Sequence, residues 1–214
     1  MSAPDWFRKK TWTPVDQEDF FARLKRSRGQ FNKAQYLRIQ AYELQTVGTE
    51  ELLKASLQLL KLLLAEYDDG SQAIQIYNQE GDCLKGLGRI DEALASYQKA
   101  MEIERRDGKW ATGAYLSFAR LVATMPIPQF YDEALTALNE FGKREFLPVQ
   151  QYWSSASRAL IYKAKDNLDL AKSWAQVALE AASKDHSGLR YHSKLGLVKN
   201  PDKKIYEQLK QLSV

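Results

Sequence analysis

The residue types best suited to chemistry cluster in one octet, Asp185-His186-Ser187-Gly188-Leu189-Arg190-Tyr191-His192, which holds both histidines of the chain. An aspartate, a serine and two imidazoles are the parts of a hydrolytic triad or of a metal site. Neither chemistry finds the spacing it needs. His186 and His192 flank a glycine at a separation no common zinc motif uses, and no cysteine or second acidic ligand accompanies them. A nucleophilic serine needs a strand–turn–helix elbow, and nothing around Ser187 reads as a strand. A helix exit followed by a loop folding back on the preceding helices accounts for the stretch. Gly188 would supply the left-handed turn and Leu189, Tyr191 and Leu195 the contacts. Arg190, Tyr191 and His192 stay as loop contacts for a ligand, since functional groups often sit on loops braced by rigid scaffolds.

Cys83 is the single cysteine of the chain. One cysteine cannot form an internal disulfide and fits a reducing cytoplasm. With no metal-ligand spacing around it, it reads as a small buried hydrophobe. The segment Trp6-Phe7-Arg8-Lys9-Lys10-Thr11-Trp12 interleaves bases with aromatics, as single-stranded nucleic-acid platforms and membrane-surface helices do. Pro14 cuts it too short for an amphipathic helix, so Trp6 and Trp12 are expected to fold back over an apolar face. Arg23, Lys25, Arg26, Arg28, Lys33 and Arg38 form a basic stretch, but Asp16, Glu18 and Asp19 offset it. The formal net charge is only +4, too diffuse for the usual nucleic-acid footprint. No signal peptide is expected in residues 1–15. The most apolar run, Leu57 to Ala65, is far too short to span a bilayer and contains Lys61. No cofactor or metal is implied, and the expected setting is cytoplasmic.

The elements that would position these residues are all helical. Thr13-Pro14-Val15-Asp16 reads as an N-cap, a proline in the first turn and an acidic first-turn residue, opening a helix to about Ser27. Further helices are expected over 31–47, with Tyr36, Ile39, Tyr42 or Glu43, and Thr46 at helical spacing, and over 50–67. The series continues with 71–87, 90–106, 109–125, 130–141, 148–165, 167–183 and 202–212. Gly29, Gly48, Asp68-Asp69-Gly70, Gly88, Asp107-Gly108, Pro126-Ile127-Pro128 and Gly142 separate them. Residues 184–200 are read as irregular. Turns this short force neighbouring helices antiparallel, so the middle of the chain is four αα-hairpins.

Segment 74–107 carries a further signal in Tyr77, Gly81, Leu84, Gly88, Ala93, Tyr97 and Ala100. Gly81 and Ala93 are small where two helices cross, Gly88 serves a tight turn, and Tyr97 with Ala100 makes a large–small pair. These positions resemble the tetratricopeptide motif. Segments 152–184, 115–147 and 36–67 resemble it less closely, and Ala55, Ala93, Ala134 and Ala171 recur at a solenoid-like period. The flanks QYLRIQA and SGLRYHSKLGLV are similar to those of bacterial tetratricopeptide-type proteins, a likeness that carries no activity. The resemblance implies an all-α, right-handed superhelical array of antiparallel αα-hairpins. It is read as one domain, 1–214, with an N-terminal segment and capping helix (1–30), four helix pairs (31–184), and a C-terminal loop and capping helix (185–214).

Such arrays bind proteins or peptides on a concave face lined by the first helix of each pair. Carried onto this chain, that face would hold Asn78, Gln79, Asp82 and Lys85, then Ser117 and Arg120, then Trp153, Ser157, Leu160 and Lys163. Asp82 stands where the family's carboxylate clamp wants an amide. The leading reading is a binding scaffold without catalysis whose partner is an unidentified protein or peptide, and not a membrane or nucleic acid. An immunity- or antitoxin-like partner of a bacterial effector is the first alternative. A hydrolase built on 185–192 is the second and weaker one. Array ends need covers for their apolar faces. Truncation after Asn200 should therefore lower the soluble yield and raise binding of a hydrophobic dye; an equally soluble and stable product would contradict the capping role.

Overall fold

The computed structural model describes residues 5–67, 72–108 and 112–214. Among them are ten α-helices and two short 3₁₀ turns, with no strand. The helices are α1 (Pro14–Arg26), α2 (Gln30–Val47), α3 (Glu50–Glu66), α4 (Ala73–Gly86) and α5 (Ile90–Asp107). They continue with α6 (Ala114–Thr124), α7 (Tyr131–Phe141), α8 (Pro148–Ala164), α9 (Leu168–Ser183) and α10 (Lys203–Ser213). The chain forms two compact units, Met1–Ala114 and Tyr115–Val214.

In the first unit, helix ends follow local chemistry. Thr13 caps α1: its hydroxyl accepts from the Asp16 amide at 3.2 Å, and the Asp16 carboxylate accepts from the Thr13 amide at 3.0 Å. The Thr13 hydroxyl also donates to that carboxylate at 2.8 Å, and this bond, followed by the one from the Thr13 amide, holds the Asp16 carboxyl down at about 2. Gly48, at φ +80°, turns the chain left-handed after α2, and Thr49 caps α3 directly behind it. The core packs Phe20 and Leu24 of α1 against Leu37, Ala41 and Leu44 of α2 and Leu59, Leu60 and Leu63 of α3. Trp6 and Trp12 do fold back. The Trp6 ring centroid lies 5.3 Å from Phe20 and 4.9 Å from Tyr36, and Trp12 lies 5.3 Å from Phe20.

The α4–α5 hairpin crosses closely. A Cβ built on Gly81 would stand 2.5 Å from the Tyr97 ring, and Ala93 and Ala100 are fully buried beside it. Gly86 makes a second close approach, to Leu53 of α3. Small residues at these points let helix axes approach where a larger side chain would hold them apart.

In the second unit, α6 lays Phe118 against Phe130 of the 128–130 turn and Tyr115 against Phe141 of α7. The α8–α9 hairpin is alanine-rich, with Ala156, Ala159, Ala171, Ala175, Ala178 and Ala181 all buried together with Tyr152. Ala175 replaces the aromatic that the repeat usually carries, so the two helices meet through small side chains. Asp202 caps α10, and Leu209 of α10 is buried against α8 and α9.

Three expectations change. The helix read over 109–125 begins at Ala114: Gly113 has φ +82°, outside the range of a right-handed helix, while 109–111 lie outside the described residues. The Asp68-Asp69-Gly70 turn and Ser71 as helix opener also lie outside them. On α2, the buried stripe is Ala34, Leu37, Ala41 and Leu44, with Tyr42 exposed, because Tyr36, Gln40, Glu43 and Thr46 face the folded-back segment 5–13. In the tail, Tyr191 and Leu195 are 81% and 53% exposed and supply no buried contact. Backbone does that work instead. The Val149 amide donates to the Gly196 carbonyl at 2.7 Å, and Gly196 sits so close to Leu147 that a Cβ would meet it at 2.8 Å.

Replacing a helical glycine by alanine ordinarily stabilises by about 0.5–1 kcal/mol. Gly81→Ala should do the reverse, because the buried Tyr97 ring is tethered by its hydroxyl and cannot swing away. The overpacking cost is about 1–3 kcal/mol. A lower urea midpoint at unchanged m-value would show it.

Candidate functional site

Two helix faces meet over a cavity of about 220 Å³ in the first unit. From α2 come Arg38, Tyr42 and Gln45, spaced by one helical turn each; from α4 come Gln75, Asn78, Gln79 and Asp82, again one stripe. Thr112 completes the wall. The lining is dominated by side-chain amides. Their hydrogen-bonding capacity is not used up: Gln45 Oε1, Gln75 Oε1, Asn78 Oδ1 and Gln79 Nε2 are buried atoms without a partner among the described residues. Gln79 is only 6% exposed. A buried polar atom left unpaired costs about 1–3 kcal/mol, so four around one cavity are expensive unless something binds there.

The charged groups of the cavity are fixed differently. Arg38 donates through Nε to Gln72 Oε1 at 2.9 Å, makes no ion pair among the described residues, and has its pKa lowered by burial. Asp82 accepts from the Tyr97 hydroxyl at 2.7 Å and from Lys85 Nζ at 3.2 Å. The carboxylate that replaces the clamp amide is thus anchored to the α4–α5 crossing. Lys85 stands exposed beyond the cavity as its partner.

An occupied counterpart lies on the same helix. Gln40, fully buried on α2, accepts from the Lys9 amide at 2.9 Å and donates to the Lys9 carbonyl at 2.8 Å. One side-chain amide thus pairs with both backbone groups of a single residue in the non-helical 5–13 segment. Glu43 holds the flanking Arg8 at 2.8 Å and also pairs with Lys10, contacts that lower its own pKa.

Of the residues expected on a binding face, Asn78, Gln79 and Asp82 come together here. The α2 half of the wall, with Gln75 and Thr112, escaped sequence reasoning. Its one available signal was the loose motif match of 36–67, which made α2 the first helix of a pair. In the second unit, Arg120 lies over the Trp153 ring, 3.5 Å from its centroid, and bridges α6 to α8. Ser117 is partly buried, Lys163 is exposed, and Ser157 is 1% exposed, closed off from any open surface.

The 185–192 stretch does not assemble a triad. Ser187 donates its hydroxyl to the His192 carbonyl at 2.7 Å and accepts from the Leu189 amide, while His186 Nδ1 accepts from the Gly188 amide. These bonds stitch a loop in which Gly188 has φ +85°. Arg190, Tyr191 and His192 are exposed on it. No group of three or more His, Cys, Asp or Glu side chains is placed to hold a metal ion among the described residues, and no described helix is long and apolar enough to cross a membrane.

Residues 74–107, which contain α4 and α5 entire apart from Ala73, match the sequence profile of the tetratricopeptide repeat. The chain thus carries a tetratricopeptide-type repeat within an all-helical fold whose helices pack in adjacent pairs. No curated protein and no solved structure matches it at a significant level. In tetratricopeptide-like terms α2 and α4 are the first helices of consecutive pairs, and the amide-lined cavity lies between them.

Cys83 sits just behind this wall, fully buried, with Sγ 3.3 Å from Ser56 Oγ. Burial pushes its thiol up to about 11. The native protein should therefore resist a thiol reagent at pH 8 and react fully once unfolded in urea; rapid native labelling would contradict the packing.

Proposed function

We propose that this protein is a peptide-binding scaffold whose α2–α4 cavity grips the backbone of an extended partner segment. One observation carries the reading: four unpartnered side-chain amide atoms converge on a single cavity. Amides are matched to peptide units, since each offers both a donor and an acceptor. Gln40 and Lys9 supply a working example of that pairing one face away. Arg38 adds a positive charge at the edge and favours a segment with an acidic residue there. Residues Arg120 and Trp153 offer a second, separate contact surface of the cation–aromatic kind. The reading assigns no catalytic step and places the protein in the cytoplasm, where the lone thiol of Cys83 stays reduced.

The test is a peptide-display selection followed by calorimetry on the best binder. Gln79→Leu and Asn78→Leu should each weaken that binder by about tenfold, roughly 1.4 kcal/mol, with thermal stability held or raised. N-methylation of the peptide at the gripped residue should weaken it similarly. Binders indifferent to both substitutions, or no binders at all, would overturn the proposal.

A further inference from the structure

A second cavity, of about 270 Å³, opens in the unit Tyr115–Val214 between α8, α9 and the turn at 142–145. We propose that it is a binding site for a small carboxylate, with Arg158 as the principal contact. The idea is independent of the α2–α4 reading and stands or falls separately.

Arg158 is only 7% exposed, yet no carboxylate lies within ion-pair distance of it among the described residues. Nη1 donates to Ser154 Oγ and Nη2 to Asn139 Oδ1 at 3.3 Å, while Nε has no partner among the described residues. The guanidinium carries more N–H donors than these two neutral acceptors use. Its carbon lies 4.7 Å from the Trp174 ring centroid, so the aromatic face holds the fork in a fixed plane. Glu145 acts on this cation electrostatically without reaching ion-pair distance, so the fork still has donors that no anion takes up, and a bound carboxylate would accept from them.

The remaining wall defines which anion. Lys184 stands at the rim with Nζ 2.8 Å from Gln151 Oε1, a second cation bound to a neutral amide. Opposing these are Glu145 and Glu180, which line the same cavity. Glu145 accepts from the Tyr115 hydroxyl at 3.1 Å, and burial raises its pKa. Two cations facing two carboxylates leave room for a planar monoanion and repel a phosphate dianion. The volume suits a small molecule or the end of a chain, below the usual range for larger ligands.

The site is distinct from the family's binding face. Gln151, Ser154, Ser155 and Arg158 form one stripe of α8, and at about 100° per residue they lie opposite Trp153, Ser157 and Leu160. The sequence therefore places two different surfaces on one helix.

The carboxylate could belong to a free small acid or to the end of a peptide. Calorimetry and thermal shift with propionate, with N-acetyl-alanyl-glycine, with its amidated form and with inorganic phosphate separate these. Saturable binding of propionate or of the free dipeptide acid is expected, with none for the amide. Arg158→Gln should weaken it about tenfold. Lys184→Gln should weaken it less, and Glu145→Gln should strengthen it by removing the opposing charge. Because Lys184 is exposed, the last two variants decide the matter through their opposite signs even if Arg158→Gln does not fold. Binding of no carboxylate, tighter binding of phosphate, or indifference to these substitutions would overturn the proposal.

Discussion

The close crossing of α4 over α5 at Gly81 and Tyr97 is the contact on which the first unit is organised. With no side chain at Gly81, the Tyr97 ring packs closely against the α4 backbone, and its hydroxyl reaches Asp82 at 2.7 Å. That bond ties the rotation of α4 to α5, because a helix twisted about its axis would lose both the close approach and the hydrogen bond. Fixing the rotation of α4 in turn fixes where Gln75, Asn78 and Gln79 point. The orientation of the amide stripe is thus set by packing on the neighbouring face of the same helix, with Asp82 belonging to both.

A connected path carries this constraint outward. Gly86 of α4 sits against Leu53 of α3, and Cys83 meets Ser56, whose hydroxyl donates to the Ala41 carbonyl of α2 at 2.8 Å. Buried polar groups that find partners specify one arrangement, since any slip would leave them unpaired. Around the cavity the logic inverts. The scaffold is well satisfied and its amide wall is not, which is how a surface kept ready for a partner differs from one merely facing solvent.

The second unit uses a softer device. Its α8–α9 hairpin buries six alanines where the repeat of the first unit uses a glycine and a tyrosine. Alanine contacts allow close helices but specify rotation weakly, and the buried guanidinium of Arg158, bonded to Ser154 of its own helix and to Asn139 of α7, adds a directional bond that orients α8 against α7. The tail is held through the Gly196 carbonyl on α8, which leaves the tyrosine and histidine of the loop turned outward.

The sequence by itself determined the helices, their turns and the best repeat. Glycines, prolines and capping residues act through local backbone geometry, so Thr13, Gly48, Gly88 and Asn167 sit where their chemistry demands. The crossing at Gly81 was legible for a related reason: a glycine inside a helix has to be justified by a close neighbour. Gly113 was the exception, read as helical when its φ is positive, because one glycine near a helix start serves either role. The candidate site was only half legible. A motif with a fixed period located Asn78, Gln79 and Asp82, whereas Arg38, Tyr42 and Gln45 depended on which way α2 is turned, and the folded-back segment 5–13 decides that through Gln40 and Glu43. Whether a glutamine is satisfied, or an arginine buried without an anion, depends on atoms distant in the chain. Only the tertiary structure could decide it.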